Sequence, residues 1–129
     1  MIPRECEQGA ICLSVDKLAY ALDDIILVVL QNNSDGPIFL SGCSHMDIAT
    51  AVDSGWVESP LVVCVWEGFA LRIPAGGFYQ DKLEARAYPG LHKLVVDLHF
   101  GCTEGKPISS AGCSRREKIY SPEFRVGEP

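Results

Sequence analysis

The sequence lacks any apolar run that approaches the ~18 to 20 residues needed to span a bilayer as a helix. It is also short of positive charge, because 11 Lys and Arg face 17 Asp and Glu, which gives a formal net charge of −6. The one basic cluster is Arg115, Arg116 and Lys118. This cluster is too small to favour nucleic acid or an anionic membrane as the main partner. We therefore expect a soluble protein that does not insert into membranes.

No internal repeat, low-complexity tract or linker divides the 129 residues. A hydrophobic fraction of 47% with 22% charged residues excludes a wholly disordered chain. A chain of this length buries roughly two thirds of the surface that its unfolded form exposes. We expect one domain over residues 1–129, with residues 1–9 as an N-terminal extension.

The six cysteines, by contrast, are many for a chain of this length. Six cysteines allow 15 full pairings, and their spacing favours neighbours. No Cys-x-x-Cys occurs, so a zinc site is not expected. Disulfides imply an oxidising, extracytoplasmic compartment. Residues 1–7 contain no apolar signal segment, so an export signal would lie outside this numbering. The predicted pairs are Cys6–Cys12, Cys43–Cys64 and Cys102–Cys113.

No stretch longer than about ten residues has helical spacing of its apolar positions, so the predicted class is all-β. Short strands separated by turns are typical of a two-sheet antiparallel sandwich, with a closed barrel as the alternative. An irregular excursion, stapled by Cys102–Cys113, is predicted over residues 101–116. The predicted strands are residues 10–15, 17–22, 24–32, 37–42, 46–52, 61–66, 69–73, 78–87, 91–100 and 119–126.

Two predicted strands carry the strongest patterns. Residues 91–100 alternate, with Leu94, Val96 and Leu98 facing inward. Residues 24–32 are apolar on both faces, which predicts a central strand, and the turn at residues 33–36 predicts a hairpin after it. Residues 61–66 are also apolar on both faces. The second face of both strands should be covered by the N-terminal segment, the 101–116 excursion or another chain.

The order of motifs resembles bacterial immunoglobulin-like domains of secreted proteins and lipoproteins. The similar segments are residues 17–24, the Asn-Asn-Ser that begins at Asn32, the Cys43…Trp56…Cys64 series, Pro89-Gly90, and the Ser-x-x-Phe-x-Val of residues 121–126. The resemblance implies an Ig-like β-sandwich without catalytic residues. The sequence departs from the pattern at Asp23, where glycine is usual, at His92, where an aromatic is usual, and in the four cysteines other than Cys43 and Cys64.

No set of residues predicts catalysis. Ser44, His45 and Asp47 have the residue types of a hydrolase, but adjacent side chains on an extended segment point to opposite faces. Three other sites were considered: calcium at Asp23-Asp24, half of a metal site at Asp97 and His99, and glycosylation at Asn32. Each of these patterns is better explained as solvated surface or turn chemistry. We expect no enzyme, cofactor or metal.

Two residues are candidates for binding. Trp56 follows the turn at residues 53–55 and is expected to face solvent, where it would stack on a sugar or anchor a partner. His45 belongs to the same candidate loop. Trp66, two residues after Cys64, is expected to pack in the core beside a disulfide.

The sequence therefore predicts a non-catalytic extracytoplasmic interaction or structural module. One form is a self-associating cell-surface or filament subunit whose residues 1–10 add a strand to a neighbour. The alternative is a binder of a carbohydrate or a protease that uses the loops around His45 to Trp56.

Overall fold

A computed structural model describes residues 6–43, 46–62, 64–66 and 68–127. The described chain is all-β, with short 3-10 turns at Ala85–Ala87 and Ile108–Ser110. None of its helical turns is long and apolar enough to cross a membrane. The strands are β1 (Ile11–Val15), β2 (Ala19–Tyr20), β3 (Ile25–Asn32), β4 (Ile38–Ser41), β5 (Met46–Val52), β6 (Gly55–Pro60), β7 (Ala70–Ile73), β8 (Phe78–Glu84), β9 (Gly90–Phe100), β10 (Arg115–Tyr120) and β11 (Phe124–Val126).

The smaller sheet has the strand order β1-β3-β8, and both pairings are antiparallel. β3 lies in the middle, as its apolar sequence predicts. Ile26, Val28 and Leu30 point into the core and are almost fully buried, whereas Ile25 on the other face is exposed. The outer face of this strand is therefore only partly covered.

The larger sheet is built around β9, the longest strand. β11 and β10 pair with successive parts of β9 on one side, and β5 and β4 pair with it on the other. β2 joins β11 in parallel at one end of the sheet. β6 and β7 form the outermost column, paired with β5 and β4 respectively. Two excursions, residues 42–45 and 61–69, interrupt these two neighbouring columns.

One hydrophobic cluster unites the two sheets. Side chains from β1 and β3 meet side chains from β4, β5 and β9, and the two 3-10 turns lie outside the sheets. The alternation predicted for β9 is confirmed, because Leu94, Val96 and Leu98 are essentially inaccessible to solvent. The most deeply buried members of the cluster are Ile26, Val28, Leu30, Ile38, Leu40, Leu94, Val96, Leu98, Phe124 and Val126.

Three disulfides cross-link the chain: Cys6–Cys12, Cys43–Cys64 and Cys102–Cys113. These are the neighbour pairs that the cysteine spacing favours. Each bond ties an irregular segment rather than joining the two sheets. Cys43–Cys64 is notable in position because it links the two excursions that interrupt the larger sheet.

Several strand predictions were wrong in detail. The described residues of this range, 61–62 and 64–66, form no strand, and β6 occupies Gly55–Pro60 instead. The turn at residues 33–36 does not close a hairpin, because β3 and β4 belong to different sheets. The predicted last strand, residues 119–126, is two strands with a break at residues 121–123.

The excursion after β9 covers part of the second face of the larger sheet. Phe39 and Ala70 are buried against Ala111, with Ile108 and the Cys102–Cys113 pair packed around them. The Ala70 amide donates to the Lys106 carbonyl oxygen at 2.6 Å, which ties the excursion to β7. The N-terminal segment is also held, since the Asn33 side-chain amide donates to the Cys6 carbonyl oxygen at 2.7 Å.

Candidate interaction site

Exposed large hydrophobic side chains concentrate in one part of the described chain. Seven of the thirteen fall between Trp56 and Leu71, which is the outer column of the larger sheet. Four belong to the segment between β6 and β7, residues 61–69, which we call the apolar loop. Val65 has 109% of its reference exposure, and Val62, Trp66 and Phe69 have 53%, 53% and 55%. Singly exposed apolar residues are normal on proteins, but a group of this size marks a contact surface.

The apolar loop is fastened to the sheet at two points. Cys64 is bonded to Cys43, and the backbone at Gly68 lies against residues 42–43. Gly68 has a φ of +80°, and a Cβ at this position would come within 3.0 Å of the Cys43 amide nitrogen. Only glycine fits both the conformation and the contact. Cys64 and Gly68 are therefore held against residues 42–43.

Its two aromatic side chains contact each other. The Trp66 and Phe69 rings pack edge to face with centroids 4.9 Å apart. This is a favourable geometry for aromatic pairs and restricts both side chains. Beneath the loop, a cavity of about 210 Å³ separates Leu61 and Val62 from β8. Val62, Val65, Trp66 and Phe69 each expose more than half of their surface to solvent.

A second surface feature lies on the outer face of the larger sheet and includes Trp56. The Lys93 ammonium lies 4.3 Å from the Trp56 ring centroid and 4.7 Å from that of Tyr120. We call these three residues the aromatic–lysine cluster. Trp56 is 37% exposed and Tyr120 is 47% exposed. Trp56 is therefore accessible as predicted, but Lys93 already contacts its ring.

Charged side chains border this cluster. Lys118 forms an ion pair with Glu58 at 3.0 Å. Burial raises the pKa of the Asp47 carboxyl, and the negative charges of Asp97 and Glu58 raise it further against the opposing effect of Lys118. The face therefore combines two exposed rings with charges of both signs.

His45, the other predicted binding residue, lies outside the described residues, as does Ser44. The prediction for Trp66 was wrong, because its side chain is exposed in the apolar loop rather than packed in the core. Its position after a cysteine, within an apolar run, resembled that of a core residue.

Asn32 is the last residue of β3 and is not an accessible glycosylation acceptor. It is fully buried, and its side-chain amide donates to the carbonyl oxygens of Gly36, Ile73 and Pro74 at 2.9, 3.2 and 3.2 Å. The Asn32 backbone also accepts from the Gly76 amide at 2.7 Å. These bonds hold the crossing between the two sheets.

The residues considered as metal ligands either bond to other protein groups or are not grouped into a site. Asp24 accepts from the Ala21 amide at 2.8 Å and lies 3.6 Å from the Lys17 ammonium. Asp97 and His99 lie on the same face of β9, opposite Lys118 and Arg116 of β10. Within the described residues, no three His, Cys, Asp or Glu side chains are grouped closely enough to hold a metal ion.

A cavity of about 520 Å³ opens between β1 and β10. Ile11, Phe100 and Ile119 contribute apolar walls, and Arg115 and Glu117 contribute charge. The Arg115 guanidinium lies 4.0 Å from the Phe100 ring centroid. This is an open side of the two-sheet body rather than an enclosed ligand pocket.

Comparison with known proteins adds no relative: no family model, no curated protein and no solved structure matches this chain. The apolar loop was missed as a site by sequence reasoning. The available signal was the excess of apolar residues on both faces of residues 61–66. That excess was interpreted as a strand whose second face is covered by another segment or another chain.

Proposed function

We propose that this protein is a non-catalytic extracytoplasmic interaction module that attaches to a larger structure, such as a cell surface, through its apolar loop. The observation that carries this proposal is the exposure of Val62, Val65, Trp66 and Phe69 on a loop fixed by a disulfide. Exposed apolar area on this scale favours contact with an apolar partner surface. Three disulfides support an oxidising environment outside the cytoplasm.

An Ig-like sandwich is the fold that best suits this function. In its support, one sheet contains β1, β3 and β8, and the other contains β4–β5, β9 and β10–β11. This division corresponds to the A-B-E and C-F-G sheets of Ig-like domains. The chain departs from antibody domains because no disulfide joins β3 to β9 and because Trp56 and Trp66 are both exposed. The fold supplies a scaffold and does not itself name the partner.

The filament form of the proposal has less support. Residues 6–10 would have to leave the domain to act as a donor strand, yet they are fastened to it by Cys6–Cys12. The Gly9 amide donates to the Asn33 carbonyl oxygen, and the Asn33 amide donates to the Ala10 carbonyl oxygen. Donation would break these bonds, whereas contact through the apolar loop breaks none.

Carbohydrate binding is the second candidate, and the aromatic–lysine cluster favours it. Exposed rings flanked by charged and hydrogen-bonding groups are suited to stack on sugar rings. In this form, Trp56 and Tyr120 provide the stacking surface, and Glu58 and Lys118 lie beside it. A protease-binding role would use the loops around His45 to Trp56.

One binding experiment separates the two candidates. The fluorescently labelled protein is added to intact cells of the source organism, and bound protein is measured for the wild type, Val65→Asp and Trp56→Ala. We expect Val65→Asp to abolish binding and Trp56→Ala to leave it unchanged. Loss of binding in Trp56→Ala alone would transfer the function to the aromatic–lysine cluster. Absence of wild-type binding would contradict both.

A further inference from the structure

We infer that the aromatic–lysine cluster is a binding site for a small quaternary ammonium solute, a cation that carries a trimethylammonium group, and that Lys93 occupies this site in the free protein. The inference goes beyond the proposed function, because it uses neither the apolar loop nor a sugar. It stands on three features of the described residues: two exposed rings around one cation, the lack of a carboxylate partner for that cation, and the acidic groups of the same face.

Small side chains on β5 make room for the cluster. Trp56 of β6 lies opposite Ala51, and Lys93 of β9 lies opposite Ala49. Ile48 packs in the core, so Ala49 on the same strand faces outward. Ala49 is nevertheless inaccessible to solvent. The long side chains of β6 and β9 therefore meet above β5 on the outer face of the larger sheet.

Two rings attract the same cation. The Lys93 ammonium lies over both of them, 4.3 Å from the Trp56 centroid and 4.7 Å from the Tyr120 centroid. Cation–π attraction acts within about 6 Å of a ring centroid, and tryptophan is the strongest ring partner. Both rings keep more than a third of their surface in solvent. A cation from solution can therefore reach the same two rings.

The partners of this cation are rings rather than carboxylates. Among the described residues Lys93 forms no ion pair, and Glu58 is already paired with Lys118 at 3.0 Å. A primary ammonium has three N–H donors and is strongly hydrated, so ring faces alone satisfy it poorly. A trimethylammonium group has no N–H to satisfy, and aromatic faces are the partners that such groups use in proteins. The chemistry of the site therefore suits a quaternary cation better than the lysine that lies there.

The charge of the surroundings favours a cation as the ligand. Asp47 interacts electrostatically with Asp97 and Glu58 on this face, and Lys118 opposes them. The whole chain carries a net charge of −6. Lys93 has a flexible four-carbon stem and no ion pair to break, so it can withdraw to solvent when another cation takes its place. Its ammonium then acts as a built-in competitor that lowers the apparent affinity for the ligand.

The test titrates the intact, disulfide-bonded Trp66→Phe protein with choline chloride, with the ionic strength held constant by sodium chloride. This parent retains Trp56 as its only tryptophan, so the fluorescence reports on the cluster. Lys93→Ala in the same background removes the competing ammonium. We expect choline to quench Trp56 in a saturable way. Lys93→Ala should bind choline about five- to thirtyfold more tightly than the parent, the equivalent of two exposed cation–π contacts.

The matched control is Lys17→Ala, because the Lys17 ammonium lies 5.8 Å from the ring centroid of Tyr20, which is buried. Its affinity for choline should equal that of the parent. Tyr120→Ala, added to Lys93→Ala, should weaken choline binding at least about twofold through the loss of one ring. Phosphocholine carries the same cation on a phosphate and should bind more weakly than choline, because the phosphate adds negative charge to an acidic face.

No saturable quenching by choline in either the parent or Lys93→Ala would overturn the inference. Equal affinities of these two proteins would also overturn it, because Lys93 would then not occupy the ligand site. Tighter binding of phosphocholine than of choline would contradict a free solute as the ligand. Quenching by the neutral oligosaccharide cellotetraose without quenching by choline would reject the cation and leave the cluster to the carbohydrate candidate. None of these outcomes alters the test of the apolar loop by Val65→Asp.

Discussion

At the scale of single residues, Asp16 fastens the bend where the chain leaves β1 and enters β2. Its carboxylate accepts from the Tyr20 hydroxyl at 2.7 Å and from the Leu27 amide at 3.0 Å. Tyr20 in turn accepts from the Lys17 amide at 2.9 Å. Burial acts to raise the pKa of Asp16, but the hydrogen bonds from Tyr20 and Leu27 outweigh it and hold that pKa below its ordinary value. The ionised carboxylate is therefore the form that stabilises the fold.

Asp16→Asn should lower the free energy of unfolding at pH 7 by about 1.5 to 3 kcal/mol, the usual range for a hydrogen bond to a charged group. Because the folded pKa is depressed, this stabilisation is complete above the unfolded pKa of about 3.9 and is lost as the pH falls through the folded value. The difference between wild type and variant should therefore disappear in acid. Urea unfolding over a pH series measures it.

The control for this prediction is Asp23→Asn, at an exposed acidic residue of the next turn. Its free energy of unfolding should stay within about 0.5 kcal/mol of the wild type at every pH. A deficit in Asp16→Asn that is the same at acidic and neutral pH would show that lost packing, rather than the lost charge, causes the effect.

Single residues also show what sequence reasoning can reach. Turn chemistry at Asn32 was predictable, because asparagine beside a turn commonly bonds to nearby backbone. The roles of the two tryptophans were not. Apolar side chains are assigned to the core because burial is the rule, and Trp66 is exposed against that rule. A residue kept for binding another surface has the same sequence pattern as a residue of the core.

At the scale of elements, the three disulfides differ in the length of chain that they close. Cys43 and Cys64 are separated by 21 residues, and Cys6 and Cys12 by six. On the chain-entropy model, a longer loop restricts the unfolded chain more strongly. Cys43→Ala/Cys64→Ala should therefore cost about 3 kcal/mol of unfolding free energy, and Cys6→Ala/Cys12→Ala about 2 kcal/mol.

Urea unfolding under non-reducing conditions gives both values. Cys102→Ala/Cys113→Ala serves as the comparison, because its separation of 11 residues places its expected loss between the other two. A larger loss for the N-terminal pair than for Cys43–Cys64 would show that native contacts, rather than unfolded-chain entropy, determine the ranking.

Strands were predictable where paired strands on both sides and the core beneath them impose a regular pattern of apolar residues. β3 and β9 lie inside their sheets, so their apolar alternation or two-sided apolarity follows directly from burial. The outer column was not predictable. β6 is exposed along its whole length and has no inward apolar face to mark it, whereas the apolar loop beside it has the composition of a buried strand.

At the scale of the whole molecule, three edge strands, β6, β8 and β10, carry charges or proline that discourage pairing with another chain. Among the described strands, β8 pairs only with β3 and has Asp81 on the core-facing side of the strand. Within the same part of the chain, β10 pairs only with β9, and Arg115 and Glu117 line the cavity beside β1. β6 contains Glu58 and ends at Pro60. Charges that point inward and proline on edge strands are natural defences against strand addition.

These protected edges predict that the disulfide-bonded protein is a monomer of 14.1 kDa by light scattering, with no increase in mass as its concentration rises. Replacing the charge in Asp81→Val should permit edge pairing at β8 and raise the average mass, whereas Asp35→Ala, at an exposed turn, should not. If the wild type instead forms dimers that Trp66→Ser dissociates, the apolar loop binds a second copy of this chain. In such a dimer the two copies would meet through their apolar loops, and their strand edges would stay unpaired. The charges on those edges would then prevent growth beyond a dimer.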